Sequence, residues 1–338
     1  MSETDEALRA TEAEVQQFQE VMDRIRGELG KIIVGQEEVL EQILITVLIG
    51  GHCLITGLPG TAKTLMVQSL AIALGLDFKR IQFTPDLMPT DVTGTDIIET
   101  DPATGEREWR FVPGPIFANV LLADEINRTP PKTQSALLEA MQEARVTIRG
   151  KTHQLDKPFV VLATQNPIEL EGTYPLPEAQ LDRFIFNVVL DYLDAGEEVR
   201  VVERNTLGLG LPELQPCADA ATIIQMQNLV RQVPISDAMN RYAVDIVRAT
   251  RPDDSAATDR VRSYVSYGAS VRAAINLSLA ARARALLNGR YHVMEDDIQF
   301  LAAPVLRHRL QMNYIAESDQ VGVDELIADV VRQVSPTA

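Results

Sequence analysis

The run Gly57-Leu58-Pro59-Gly60-Thr61-Ala62-Lys63-Thr64 constrains this chain most, because of what stands on either side of it. Before it, His52-Cys53-Leu54-Ile55-Thr56 is a short apolar run bounded by glycines, which predicts a strand buried on both faces of a parallel sheet. After it, Leu65, Val67, Leu70, Ile72 and Leu74 predict a strongly apolar helix closed by Gly75. Strand, glycine loop and helix in that order let backbone N–H groups curl around a phosphate at the positive end of a helix. The run fits G-x-x-x-x-G-K-[ST], except that Ala62 stands in place of the second glycine. In such a loop Gly57 and Gly60 allow close backbone approach, Lys63 neutralises β- and γ-phosphate oxygens, and Thr64 offers its hydroxyl to Mg²⁺. Pro59, Thr61, Ala62 and Leu65 complete the expected cradle. The competing structural reading is a Gly-Pro turn that caps a buried helix and leaves Lys63 in water.

A second element strengthens the first. Val120-Leu121-Leu122-Ala123-Asp124-Glu125 is an apolar strand ending in two adjacent carboxylates, which point to different faces. Asp124 is expected to hold Mg²⁺ through water, and Glu125 to orient or deprotonate the attacking water. Alone, such a pair is usually a solvated turn; downstream of a phosphate loop the odds reverse.

Around these motifs the pattern alternates strands and helices. Strands are expected at Phe78–Phe83, Asn119–Ala123, Phe159–Ala163 and Phe184–Leu190, giving with the first a sheet of about five parallel strands. Two hairpins interrupt it. One pairs Thr95–Glu99 with Glu108–Val112 around Asp101-Pro102-Ala103-Thr104-Gly105; the other pairs Val146-Thr147-Ile148 with residues up to Leu155 across Gly150-Lys151. Trp109 and Phe111 share one face of the first hairpin, as its packed side or as a tip that grips a partner. Val15, Phe18, Met22, Ile25 and Leu29 predict an amphipathic N-terminal helix that Gly30 terminates, and a second helical run follows from about Glu37 to Ile49. From Asp194 the pattern is helical only, with a final long helix at Glu295–Leu310 carrying acids in its first turn and Arg307, His308 and Arg309 in its last. The expected division is an α/β nucleotide-binding domain at 1–192 and an all-α lid at 193–338.

Charge narrows the partners. With 31 Lys plus Arg against 48 Asp plus Glu the net charge is −17, which disfavours binding a nucleic-acid backbone by counterion release. Cys53 and Cys217 lie far apart with no metal-ligand spacing, which suits a reducing cytoplasm. The acidic first thirty residues have no apolar run for a signal peptide, and glycines break the one charge-free stretch, Gln42–Ala62, so no membrane span is expected.

The order of motifs resembles the AAA+ ATPases. The run Asp124-Glu125-Ile126-Asn127-Arg128-Thr129-Pro130-Pro131-Lys132-Thr133-Gln134-Ser135-Ala136-Leu137-Leu138-Glu139-Ala140-Met141-Gln142 is similar to the MoxR family, as are Ala163-Thr164-Gln165-Asn166-Pro167 and the run from Glu171 to Phe184. The family also uses Gly-x-Pro-Gly-x-Ala-Lys-Thr, which accounts for Ala62. The resemblance implies a P-loop AAA+ core with a C-terminal helical lid, ATP and Mg²⁺ as cofactors, and nucleotide bound at the seam between the two domains. It implies that Asn166 positions the lytic water, and that Arg183 is an arginine finger reaching the γ-phosphate of a neighbouring subunit. A local pair of Arg183 with Asp182 or Glu178 is the alternative. Arg272, in Tyr267-Gly268-Ala269-Ser270-Val271-Arg272-Ala273, matches a second sensor on the lid that contacts phosphate in the closed site, although Val271 stands where the family more often has Pro. Val34-Gly35-Gln36 matches the segment beside the adenine ring, and Arg128 is a further trans-acting candidate.

The expectation is therefore a hexameric ATPase that remodels or activates a partner protein, such as a von Willebrand factor A domain protein. A trans finger requires the ring, because an intrachain one would fold back across its own sheet. Three rivals remain open at this point: a P-loop kinase with its own acceptor pocket, a nucleotide switch that does not hydrolyse, and a DNA translocase using Arg107, Arg110, Arg149 and Lys151 on the hairpins.

Overall fold

A computed structural model describes residues 3–100, 107–167, 172–206 and 210–335, with side chains from residue 12 onward. The expected tip of the first hairpin, Asp101 to Gly105, and Glu171 lie outside the described residues. The chain opens with helices α1 (Glu3–Gly30) and α2 (Glu37–Leu48), followed by β1 (Cys53–Gly57), the glycine loop and α3 (Lys63–Leu74). Next come β2 (Phe78–Gln82), the short α4 (Pro89–Thr93), the hairpin β3 (Gly94–Thr100) and β4 (Arg107–Pro113), β5 (Val120–Asp124) and α5 (Pro131–Glu143). The second hairpin, β6 (Arg145–Ile148) and β7 (Lys151–Gln154), precedes β8 (Val160–Gln165), the one-turn α6 (Glu178–Leu181) and β9 (Phe186–Leu190).

β1, β2, β5, β8 and β9 form one sheet, all parallel, in the order β2-β5-β8-β1-β9. The three inner strands are apolar along both faces: Leu54, Ile55, Leu121, Leu122, Val161 and Leu162 are each at most 1% exposed. A near-continuous apolar run is what a strand covered by helices on both sides requires. Burying each such side chain contributes about 1.5–3 kcal/mol. α3 ends where Gly75, at φ 65°, returns N–H bonds to the last turn. A Cβ there would lie 2.1 Å from the Ala218 carbonyl, so glycine lets the chain after β9 pack against this corner.

The remainder is α7 (Ala195–Thr206), α8 (Ala220–Gln232), α9 (Asp237–Ala249), α10 (Asp259–Tyr264), β10 (Val265–Tyr267), α11 (Val271–Leu287), α12 (Glu295–Leu306), β11 (Gln311–Met312), α13 (Tyr314–Ser318) and α14 (Val323–Gln333). The pattern predicted helices alone, and the structure corrects this: β10 and β11 form a short antiparallel pair. It also ends α12 at Leu306, so Arg307, His308 and Arg309 stand beyond the helix as a turn reaching back to the sheet instead of in its last turn. Arg307 donates to the carbonyl of Asn187, and His308 Nε2 lies 3.0 Å from the carbonyl of Phe184.

The first hairpin pairs in the expected register, with Thr95 opposite Val112 and Glu99 opposite Glu108. In the second, Ile148 pairs with Lys151, so the turn is Arg149-Gly150, one residue earlier than expected. Both turn residues have positive φ, 47° and 79°, which matches the twist of a two-residue hairpin. The hairpins pack on each other. Phe111 stacks on His153 with ring centroids 4.0 Å apart, and the Arg149 guanidinium lies 4.0 Å over the Trp109 ring. Phe111 is therefore on the packed side of the hairpin, whereas Trp109, 55% exposed, is covered on one face by Arg149 alone.

Candidate active site

Parallel sheets offer ligands the crevice beyond the carboxyl ends of their strands. Here the glycine loop leaves the end of β1, Asp124 and Glu125 the end of β5, and Asn166 the end of β8, which lies between them. One cavity of about 480 Å³ opens beside the loop. Pro59, Gly60, Thr61, Ala62 and Leu65 form one wall and Val34 another; Tyr192 and the α7 residues Val201 and Val202 face them. Gly35, at φ 65°, turns the chain into this wall, where a Cβ would collide with the Glu197 carboxylate. Gln36 donates to the carbonyl of Asp191 at 2.9 Å, and Arg204 to that of Ile32 at 2.8 Å, so the apolar wall is tied to the helix opposite.

Ala62 adopts φ 59°, the left-handed conformation that the missing glycine would have taken without cost. The substitution keeps the loop's shape and stores strain of about 1–2 kcal/mol in it. Lys63 folds over the loop, its Nζ donating to the carbonyls of Gly57 at 2.5 Å and Leu58 at 3.2 Å. Burial pulls the Lys63 pKa down, against the attraction of Asp124 and Glu125.

Asp124 is buried, and both its oxygens are engaged. Thr164 donates to Oδ1 at 2.5 Å, and Arg80 to Oδ2 at 2.6 Å through Nη2 and 3.1 Å through Nε. The next residue, Glu125, takes φ 56°, in the left-handed region. Its Oε2 accepts from Gln82 at 2.7 Å and from Arg128 at 2.8 Å, while its backbone N–H donates to the Thr164 hydroxyl. Arg80, Gln82 and Thr164 were missed by sequence reasoning. The available signal was their polarity, at alternate positions of β2 and after the apolar run Val160–Ala163 of β8.

Among the described residues no cluster of three or more His, Cys, Asp or Glu could hold a metal unaided. Mg²⁺ asks less of a protein, one or two oxygen ligands with phosphates and water supplying the rest, and Thr64 with Asp124 fits that demand.

The two remaining arginines sit elsewhere. Arg183 and Arg272 line one cavity with His52, Met141 and Ile185. His52 precedes β1 and its carbonyl accepts from Ile185 N, whereas Gly57 begins the loop at the other end, about 16 Å away at 3.3 Å per residue. The structure thus brings Arg183 and Arg272 together, and brings neither to its own phosphate loop. Arg183 donates to the carbonyl of Leu138 at 2.5 Å; Asp182, the expected local partner, is engaged by Arg309 and Arg272.

The profile of the ATPase family associated with various cellular activities (AAA) matches residues 52–186, and that of the AAA lid domain residues 257–330. Chaperone MoxR1 of Mycobacterium tuberculosis is 42% identical over 93% of this chain and 82% of its own. The chain belongs to the MoxR family of AAA+ ATPases. The uncharacterized protein YeaC of Bacillus subtilis is 44% identical over 90% of this chain and 92% of its own. A crystal structure from Cytophaga hutchinsonii, described as that of an ATPase, superposes with a TM-score of 0.90 at 42% identity, covering 98% of this chain and 99% of that one. The AAA core and helical lid of this MoxR-family chain are shared with that neighbour. No helix among the described residues is long and apolar enough to cross a membrane.

Proposed function

We propose that this MoxR-family protein hydrolyses ATP with Mg²⁺ in a ring of subunits, six by family resemblance, and uses the resulting motion to remodel or activate a partner protein in the cytoplasm. The observation that carries the reading is the placement of Arg183 and Arg272 at the end of the sheet opposite their own phosphate loop. Cationic side chains so placed are positioned to stabilise phosphate charge in trans, in a neighbour's site.

Within one subunit, Val34, Gly35 and the apolar wall receive the base. The loop N–H groups and Lys63 receive the phosphates, and Thr64 and Asp124 hold Mg²⁺, which neutralises charge on the phosphate oxygens. Glu125 orients the attacking water and accepts its proton, with Asn166 at the end of the adjacent β8 fixing the water's position. Arg183 and Arg272 of the next subunit stabilise charge on the transferring phosphoryl group. The packed hairpins, or an adaptor such as a von Willebrand factor A domain protein, supply partner recognition.

The test is light-scattering mass of Glu125→Gln with and without ATP and Mg²⁺. A nucleotide-dependent assembly of about six subunits supports the reading. A monomer under every condition would leave both arginines without a phosphate and overturn it.

A further inference from the structure

Arg309 lies in the turn beyond α12, and its side chain is only 2% exposed. Every nitrogen of its guanidinium is used. Nε donates to Asp182 Oδ1 at 2.7 Å, Nη2 to the carbonyls of Phe184 at 2.6 Å and Asp182 at 3.2 Å, and Nη1 to the carbonyl of Ile185 at 3.1 Å and to that of Val305. Four of these five bonds reach residues 182, 184 and 185, so the backbone that carries Arg183 is held from both sides by one side chain of the C-terminal helical region. Asp182 has a second role. Its Oδ2 faces Arg272 Nη1 at 3.5 Å and the Ser270 hydroxyl at 3.4 Å, at the first turn of α11. Arg309, Arg272 and the residue before Arg183 therefore meet at one carboxylate.

Stability alone is a poor account of this cluster. Removing an arginine from water is expensive, and apolar residues of similar volume often stabilise a junction equally well. What a planar fork with fixed donors provides instead is orientation of the groups it binds.

We propose that Arg309 is a positioning residue for Arg183 and Arg272, transmitting the orientation of the helical region to the two arginines that one subunit offers the next. The inference rests on the trans reading above and adds the element that aims the pair. Without Arg309, Asp182 can swing fully onto Arg272 and segment 182–185 loses its lateral hold, so both arginines are misaimed while their own subunit's phosphate loop is untouched.

Mixed assemblies test this. Glu125→Gln subunits cannot hydrolyse but retain their arginines; Arg183→Ala subunits retain Glu125 but offer no finger. An equimolar mixture regains ATP turnover where the first faces the second. Adding Arg309→Lys to the Glu125→Gln subunit should lower the regained rate at least tenfold, whereas adding it to the Arg183→Ala subunit should change it less than twofold. Binding of a fluorescent ATP analogue by each double variant should match its parent. Should Arg309→Lys fail to fold, Asp182→Asn, which keeps an acceptor and the same volume, is expected to show the same one-sided loss. Equal losses on both sides would mean that the cluster is structural glue, and no loss on either would mean that it aims nothing; each result overturns the inference. If the parental mixture itself regained no activity, the trans reading would fail first, and this inference with it.

Discussion

Arg80 donates two hydrogen bonds to a single oxygen of Asp124, Oδ2, through Nη2 at 2.6 Å and Nε at 3.1 Å. Thr164 already holds the other oxygen, so a cation bound through Asp124 competes with Arg80 for Oδ2. Arg80 is about half exposed, so water screens the pair and its loss should affect metal binding more than folding. Arg80→Met is therefore expected to lower, by about two- to fivefold, the Mg²⁺ concentration that half-saturates Mg²⁺-dependent nucleotide binding. A magnesium titration with a fluorescent ATP analogue measures this. A requirement for more Mg²⁺ would show that Arg80 assists the metal.

Gln82 and Arg128 both donate to Glu125 Oε2, so two side chains restrain the orientation of this carboxylate. Losing one restraint lets the carboxylate rotate. Gln82→Ala should lower kcat about tenfold while leaving nucleotide affinity within twofold, since Gln82 does not line the cavity proposed to receive the nucleotide. Steady-state kinetics beside equilibrium binding separate the two quantities, and a parallel loss of affinity would show that Gln82 acts through the loop instead.

Residues that act through chain-local geometry were legible in the sequence. The glycine loop declares itself by its flanking strand and helix, and the first hairpin's register follows from alternation, which fixes Thr95 opposite Val112. Arg80, Gln82 and Thr164 were not legible, because their partners lie on strands that are neighbours only after the sheet order is known; Gln82 meets Asp124 across β2 and β5. The same limit hid Arg309. Three basic residues after an apolar helix satisfy a helix dipole on paper, and only the packing of that turn onto Asp182 and the start of β9 shows what they hold.

The roles given to Lys63, Glu125 and Arg183 separate experimentally. Lys63→Ala should weaken ATP binding at least tenfold, because the ammonium is the loop's own cation. Glu125→Gln should bind ATP normally and slow its hydrolysis about 100-fold or more. Arg183→Ala should also bind normally, hydrolyse about 100-fold more slowly or worse, and unfold at nearly the wild-type temperature. Full activity of Arg183→Ala alone would remove the reason for a ring.

His52 supplies a dependence on pH that has nothing to do with catalysis. Its Nε2 donates to the carbonyl of Met141 at 3.0 Å, and its Nδ1 accepts from Val161 N–H at 3.0 Å, which requires the neutral ring. Burial accordingly lowers its pKa from 6.5 to about 4, and His308 is lowered by burial in the same direction. Below pH 6.5 the unfolded chain takes up a proton at position 52 that the folded chain refuses until about pH 4. Stability is thus fully present above pH 6.5 and falls as pH drops through this window, by about 2 kcal/mol from His52 between pH 7.5 and pH 5. Urea unfolding at the two pH values reads the loss. In His52→Gln, which can still accept from Val161 and donate to Met141, that share should vanish; an undiminished loss in the variant would place the proton uptake on other groups.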